Sequence, residues 1–361
     1  MKRSFLLLLA ILVVSYSGYA QKKSISAKLI NQEILIDGKL DEPIWLSQEP
    51  SGGFTQYFPT DTLPATNDSE IRILYDKNTI YIGLTMQTSS DQFVVNSLRR
   101  DYRGSGIDNI AIMFDTFNDG NNAFIFGMTP LGVQREGLIT NGGSTRRDYQ
   151  FSWDAKWKGE AFIGDGYYSL EMAIPFNSLK FENNAAKWGF RVHRFDMQTN
   201  ETSVWVPIPQ NQILGSLAFT GELLFEQPLS DSKTSVALIP FLSAGSSKDF
   251  ENATPKSSFS SVGGDVKIPV GKGMNLDLTF NPDFSQVEVD NFITNLTRFE
   301  VSLPERRQFF IDNNDLFGAF GGGRDANPFF SRRIGIASDS EGNTIENGIT
   351  AGMRLTGKLN D

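Results

Sequence analysis

The sequence predicts an all-β protein: an antiparallel β-sandwich over residues 21–227, then strands of an incomplete outer-membrane β-barrel over residues 228–361. Three observations point there. Between residues 34 and 225, short runs of β-branched and aromatic residues recur between Gly, Asp and Asn turns. No segment of that stretch carries a long helical period. After Ser230, apolar and strongly polar residues alternate strictly, as in strands with one apolar and one wet face.

The first residues form an export signal, and residues 1–20 are assigned to it. Lys2 and Arg3 are the positive start, residues 5–14 are an unbroken apolar run, and Gly18 and Ala20 are the small residues before Gln21. The run is much shorter than the ~20 residues a membrane-crossing helix needs. Cysteine is absent, so the exported fold has no disulfide framework and no lipid on a cysteine. The formal charge is -9 and no basic block stands out, which excludes nucleic acid as a partner. Abundant carboxylates suit calcium as a cofactor, and equally suit a solvated surface.

The strands follow in order. Ile71-Arg72-Ile73-Leu74-Tyr75 leads through Asp76-Lys77-Asn78 into Thr79-Ile80-Tyr81-Ile82-Gly83-Leu84, a hairpin. Ile110-Ala111-Ile112-Met113-Phe114 ends on Asp115, and Asp119-Gly120 turns the chain into Phe124-Ile125-Phe126. Gly164-Asp165-Gly166 joins Phe162-Ile163 to a strand beginning at Tyr167. Residues 187–195, 203–208 and 217–225 continue the series. Gln227-Pro228-Leu229-Ser230-Asp231 reads as a linker. Beyond it Met274, Leu276, Leu278 and Phe280 alternate with Asn275, Asp277 and Thr279, and Met353, Leu355 and Leu359 alternate with Arg354, Thr356 and Lys358. The same period fits an ordinary half-buried sheet. About six strands are found after Ser230, where the smallest barrels need about eight. The chain is therefore expected to be the amino-terminal part of a longer barrel protein.

Ile36-Asp37-Gly38-Lys39-Leu40-Asp41-Glu42-Pro43-Ile44-Trp45 is similar to the opening of family 9 carbohydrate-binding modules: a turn at Asp37-Gly38, then a short helical turn burying Trp45. Residues 108–115 resemble that family's central strand, ending on an aspartate. Residues 168–176 resemble its late strand, where Pro175 closes the ladder. Leu278-Thr279-Phe280-Asn281-Pro282-Asp283-Phe284-Ser285-Gln286-Val287-Glu288, Arg298-Phe299-Glu300, residues 304–310 and Asp315-Leu316-Phe317 resemble an uncharacterised family that follows such a module in Gram-negative surface proteins. The resemblance implies a poly- or oligosaccharide partner, structural calcium, a location in the cell outer membrane with the sandwich periplasmic or surface-exposed, and lipid around the barrel.

Sugar recognition needs flat aromatic faces for the CH groups of a pyranose and polar side chains for its hydroxyls. Trp153 and Trp157, with Tyr149, Asp154 and Lys156 beside them, are the best such set, and i, i+4 spacing on a strand puts both rings on one face. Core or edge packing explains the same pair. Arg99, Arg100 and Tyr102, with Asp101 and Arg103, form a charged loop suited to sugar hydroxyls or acidic saccharides, and equally to keeping the sandwich soluble. Arg146-Arg147-Asp148 invites the same two readings. Trp188 and Trp205 are expected in the core. Asp115, Asn118, Asp119, Asn121 and Asn122 gather oxygen donors that calcium would accept and that a hairpin turn also favours.

Catalysis has little support. The single histidine, His193, lies inside a strand and has no cysteine anywhere to pair with, and no Gly-x-Ser-x-Gly elbow is present. A glycosidase needs two carboxylates, and Asp283 with Glu288 is one such pair among 42 acidic residues. The expected function is non-catalytic glycan binding at the cell envelope. The alternatives are an accessory module of a xylan-type hydrolase, or a sandwich that has lost sugar binding and serves as a plug or docking domain. Absence of Trp153 and Trp157 from the surface favours the last.

Overall fold

The computed structural model describes residues 22–151, 153–229, 236–248, 256–270, 274–282, 308–311, 331, 334–338, 344–346 and 348–357. The expected export signal at residues 1–20, Asp283 and Glu288, and much of the second motif lie outside the described residues. No described helix is long and apolar enough to cross a membrane.

The sandwich contains β1 (Ser24–Leu29), β2 (Thr55–Phe58), β3 (Ser69–Tyr75), β4 (Thr79–Gln87), β5 (Asn109–Asp115), β6 (Ala123–Met128), β7 (Gln134–Ile139), β8 (Tyr149–Gln150), β9 (Lys158–Gly164), β10 (Tyr167–Pro175), β11 (Ala185–Asp196), β12 (Glu201–Val204) and β13 (Gly221–Leu229). They pair along the path β8-β7-β6-β5-β11-β13-β1-β3-β4-β10-β9, with β12 joining β11 to β2. β1 is the seam between the layers. Its residues 24–27 run parallel to β13, and residues 28 and 29 run parallel to β3. The sandwich is therefore not purely antiparallel, because β1 inserts between two strands that both run in its own direction.

Period-two burial builds the core. Ile110, Ile112 and Phe114 of β5 and Phe190 and Val192 of β11 belong to one cluster with Ile80, Ile82 and Leu84 of β4 and Leu170 and Met172 of β10. Trp188 fills its centre, edge-on to Phe225 at 4.9 Å and to Phe114 at 5.7 Å. Trp205 is equally buried against Phe190 at 5.3 Å and donates through Nε1 to Ser51.

A second apolar cluster lies outside β3, β4 and β10. The helical turn Pro43–Leu46 presses Trp45 onto Leu74, Tyr81 and Ala173. Glu171 of β10 ties this segment down: its carboxylate accepts the amides of Asp37 (2.9 Å) and Gly38 (3.1 Å) and the indole N–H of Trp45 (2.9 Å). Gly38 is required there, since its φ is +87° and an added Cβ would lie 2.5 Å from the Ala161 carbonyl carbon. Asp108 does similar work before β5, accepting the amides of Val94 (2.6 Å) and Met197 (2.7 Å).

Beyond the sandwich, β14 (Ala237–Ser247), β15 (Ser257–Val270), β16 (Met274–Phe280) and β19 (Ala351–Gly357) form an antiparallel sheet in that order, and β17 (Ile336–Ser338) pairs with β18 (Thr344–Glu346). Register places Leu238, Val266, Leu278 and Met353 in one apolar row and Lys267, Asp277 and Arg354 in a neighbouring polar one. Arg354 bonds Asp277 at 2.8 Å and lies over the Phe309 ring. The polar side of this sheet is its buried side: Asp277, Thr279 and Thr356 are covered, while Leu238, Leu242, Val262 and Met353 are open.

Candidate functional site

Residues 151–157 do not supply the strand expected for Trp153 and Trp157. Among the described residues β8 stops at Gln150 and β9 begins at Lys158. The intervening backbone bonds to a side chain instead of a ladder, because the Ala155 amide donates to the buried carboxylate of Glu136 on β7 at 3.4 Å. Both rings still turn the same way. Trp153, half-buried, meets Phe124 at 5.1 Å and Phe126 at 6.1 Å, and Trp157, only 7% exposed, meets Phe126 at 5.5 Å. The Trp157 indole donates to Glu136 Oε2 at 3.1 Å.

Arg100 closes over the same carboxylate. Its Nη2 and Nε donate to Glu136 Oε1 at 2.5 and 3.2 Å, and Nη1 donates to Gln134 Oε1 at 3.0 Å. Burial, and then a hydrogen bond with Asp154, push the Glu136 carboxyl up to about 7, against the opposing pull of Arg100 and Trp157. Asp154 itself is exposed, 3.7 Å from Arg100.

The wall formed by Arg100, Asp154, Lys156, Trp157 and Lys158 borders an open cleft of about 940 Å³. Across it stand Glu33, Ile34, Leu35 and Ile36, and its floor is Thr79 and Tyr81 of β4 with Ala173 and Pro175 of β10. The residues leading into the family 9-like opening, which begins at Ile36, thus supply one wall, and the tryptophan-bearing segment supplies the other. The cleft offers cations, carboxylates and an apolar floor.

The remaining sequence candidates go elsewhere. Tyr102 leaves the loop on the other side and is buried against Ile107 and Val133, while Arg99 is exposed. Tyr149 stacks on Phe151 at 6.0 Å and packs beside Met113 and Ile125. Asp148 caps the turn at 146–148 by accepting the Thr145 amide at 2.6 Å. At the turn after β5, Asp115 accepts the amides of Asp119 (3.2 Å) and Gly120 (2.7 Å), and Asp119 accepts those of Asn121 (2.8 Å) and Asn122 (3.3 Å). Asn118 turns the chain with φ +51°. These carboxylate oxygens therefore face the hairpin's own amides. His193 is buried in β11, and burial with the nearby Arg191 and Arg135 holds it well below the usual imidazole range.

Sequence reasoning missed Glu136, Arg135 and Arg191. One signal was present: Gln134-Arg135-Glu136 places consecutive polar residues inside a strand, so both faces of β7 carry charge.

A β-sandwich with an open cleft of charged, apolar and aromatic residues is a binding-module architecture. Residues 36–210 match the family described as "Carbohydrate family 9 binding domain-like", so the amino-terminal module is a carbohydrate-binding-module-family-9-like domain. Residues 232–353 match "Domain of unknown function (DUF5916)", which brings no activity with it. Among solved structures the chain is similar to a family 9 module of Caldicellulosiruptor kristjanssonii in complex with cellotriose, at 16% identity over 60% of this chain and 98% of that one, TM-score 0.39. The same organism's module in complex with glucose is 16% identical over 58% of this chain and 100% of that one, TM-score 0.39. A candidate carbohydrate-binding protein of Bacteroides uniformis is 15% identical over 57% of this chain and 100% of that one, TM-score 0.45. No curated protein matches the chain.

Proposed function

We propose that this chain is a non-catalytic glycan-binding protein of the cell envelope, taking poly- or oligosaccharide in the cleft between residues 33–36 and 154–158. The family 9 match over residues 36–210 is the observation that carries this reading. Lys156, Lys158, Arg100 and Asp154 supply donors and acceptors for hydroxyls, with the edge of Trp157 and the Ile34–Ile36 wall as apolar contact. Export rests on the signal-like residues 1–20. The second sheet is the start of an outer-membrane barrel, and its open Leu238, Leu242, Val262 and Met353 face lipid while Asp277 and Arg354 face the interior.

Calorimetric titration of the full chain with cello- and xylo-oligosaccharides tests the cleft. Binding weakened by Asp154→Ala and Lys156→Ala is expected, because both side chains border the cleft and lie outside the core clusters.

One observation favours a second reading, the sandwich as a docking or plug domain. Trp157 is committed to Glu136 and Phe126, and Trp153 to Phe124 and Phe126, so neither ring lies free on the surface. Failure of every oligosaccharide to bind, with the domain folded, would move the assignment to that reading.

A further inference from the structure

The outer face of β7-β6-β5-β11, turned away from the core, carries polar groups that the cleft does not use. Register sets Arg135, Gly127, Ala111 and His193 side by side across these four strands. The next row on that face is Gly137, Ile125, Met113 and Arg191. Two arginines and a histidine thus flank a floor of Gly127 and Ala111, the least bulky stretch of the face.

All three are buried. Arg191 donates through Nη1 to the Ser216 carbonyl at 2.7 Å, but its Nε and Nη2 are buried without a partner among the described residues. The Nε of Arg135, Nδ1 of His193 and hydroxyl of Tyr102 are likewise buried and unbonded among the described residues. Arg135 lies over the rings of Phe151 (4.2 Å) and Tyr102 (5.7 Å). Among the described residues neither arginine forms an ion pair. Asp101, Tyr102 and Tyr149 act on Arg135 from further away, and Tyr57 and Tyr149 act on Arg191. Burial draws the Arg191 guanidinium down to about 9.

Buried guanidinium groups without a counter-charge are strongly unfavourable, and buried water fills hydrogen bonds without cancelling charge. A carboxylate does both, since its two oxygens match the guanidinium fork. The Tyr102 hydroxyl stands 3.5 Å from where a Cβ on Gly127 would be, so it covers the Gly127 floor at contact distance. Tyr102 and Ser216 come from the non-strand segments 99–108 and 205–220, so loops and not strands cover this face.

We propose that this face binds a carboxylate, held by Arg135 and Arg191 over the Gly127–Ala111 floor with the Tyr102 hydroxyl as a further donor. The carboxylate belongs to a uronate of an acidic saccharide or to a small free acid. Held neutral, His193 adds no third charge.

The test titrates the full chain with sodium galacturonate, trigalacturonate, sodium acetate and glucose. Binding of the carboxylates, with glucose at least about tenfold weaker, is expected. Galacturonates tighter than acetate identify an acidic saccharide, and equal affinities identify a free acid. Arg191→Gln should weaken carboxylate binding by about tenfold or more. Tyr102→Phe removes a hydroxyl that has no partner in the empty site, so it should weaken binding severalfold with the melting temperature unchanged. Glucose binding as well as galacturonate in the Asp154→Ala protein, whose cleft is impaired, no carboxylate binding, or a Tyr102→Phe protein that binds carboxylate like the wild type overturns the proposal. Asp154→Ala and Lys156→Ala should leave carboxylate binding intact, which separates this site from the cleft.

Discussion

The sandwich and the four-stranded sheet that follows it share one secondary structure and have opposite insides. In the sandwich, alternate residues of β5 and β11 bury Ile112, Phe114, Phe190 and Val192. In the later sheet, Asp277 and Thr279 are 4% and 1% exposed while Leu242 and Met353 are 76% and 75% exposed. Period-two alternation assigns residues to faces, but not each face to its solvent. Burial in water favours apolar sides inward, and a lipid surround favours the reverse.

The sharpest break between the two regions comes from Trp45→Ala. It empties the cluster outside β3, β4 and β10 and frees the Glu171 carboxylate, at a cost of roughly 3–5 kcal/mol. Urea unfolding followed by tryptophan fluorescence should show the loss in the sandwich. On the later sheet, Leu278→Arg puts a charge on the apolar row, and a lipid-facing position should lose roughly 2–4 kcal/mol of insertion stability. Incorporation into liposomes measures it, and unchanged incorporation would place that face in water.

A smaller effect separates the regions by pH. Burial raises the carboxyls of Glu136 and Glu171 to about 7 from the ordinary 4.5. Between those values the folded chain holds protons that the unfolded chain has released, so the sandwich becomes more stable as pH falls from about 7 towards about 4.5. Glu171→Gln keeps one acceptor oxygen, enough for the Asp37 and Gly38 amides but not also for the Trp45 indole, and should flatten that slope, by roughly 1–3 kcal/mol across the window. Denaturant melts at successive pH values show it. The smallest change is Asp119→Ala, which removes acceptors from the turn after β5 and should cost about 1 kcal/mol. An equal drop in melting temperature in calcium and in chelator makes this a turn residue, and a drop seen only in calcium makes it an ion ligand.

Much of the sandwich was legible because its strands alternate cleanly between turns, as at Asp76-Lys77-Asn78 and Gly164-Asp165-Gly166. The family 9 motifs were legible too, and the structure supplies their reason: Glu171 receives the Asp37-Gly38 turn and Trp45, and Asp108 receives Val94 and Met197. The parallel seam at β1 was not, since nothing local in Ser24–Leu29 specifies its partners. At the site, Trp157 and Arg100 were found by residue type, yet their meeting depends on Glu136, which lies 21 residues from Trp157 and 36 from Arg100. The Arg135–His193 row was hidden for the same reason, because cross-strand register sets it and composition does not.

Whether the apolar face of β16 meets lipid is read most directly by single-cysteine spin labels, since the sequence has no cysteine. Leu278→Cys and Thr279→Cys, labelled in liposome-reconstituted protein, report contact with dissolved oxygen and with a water-soluble nickel chelate. Strong oxygen contact at 278 and little at 279 is the predicted result. Nickel contact at 278 matching or exceeding that at 279 would contradict a lipid-facing apolar row.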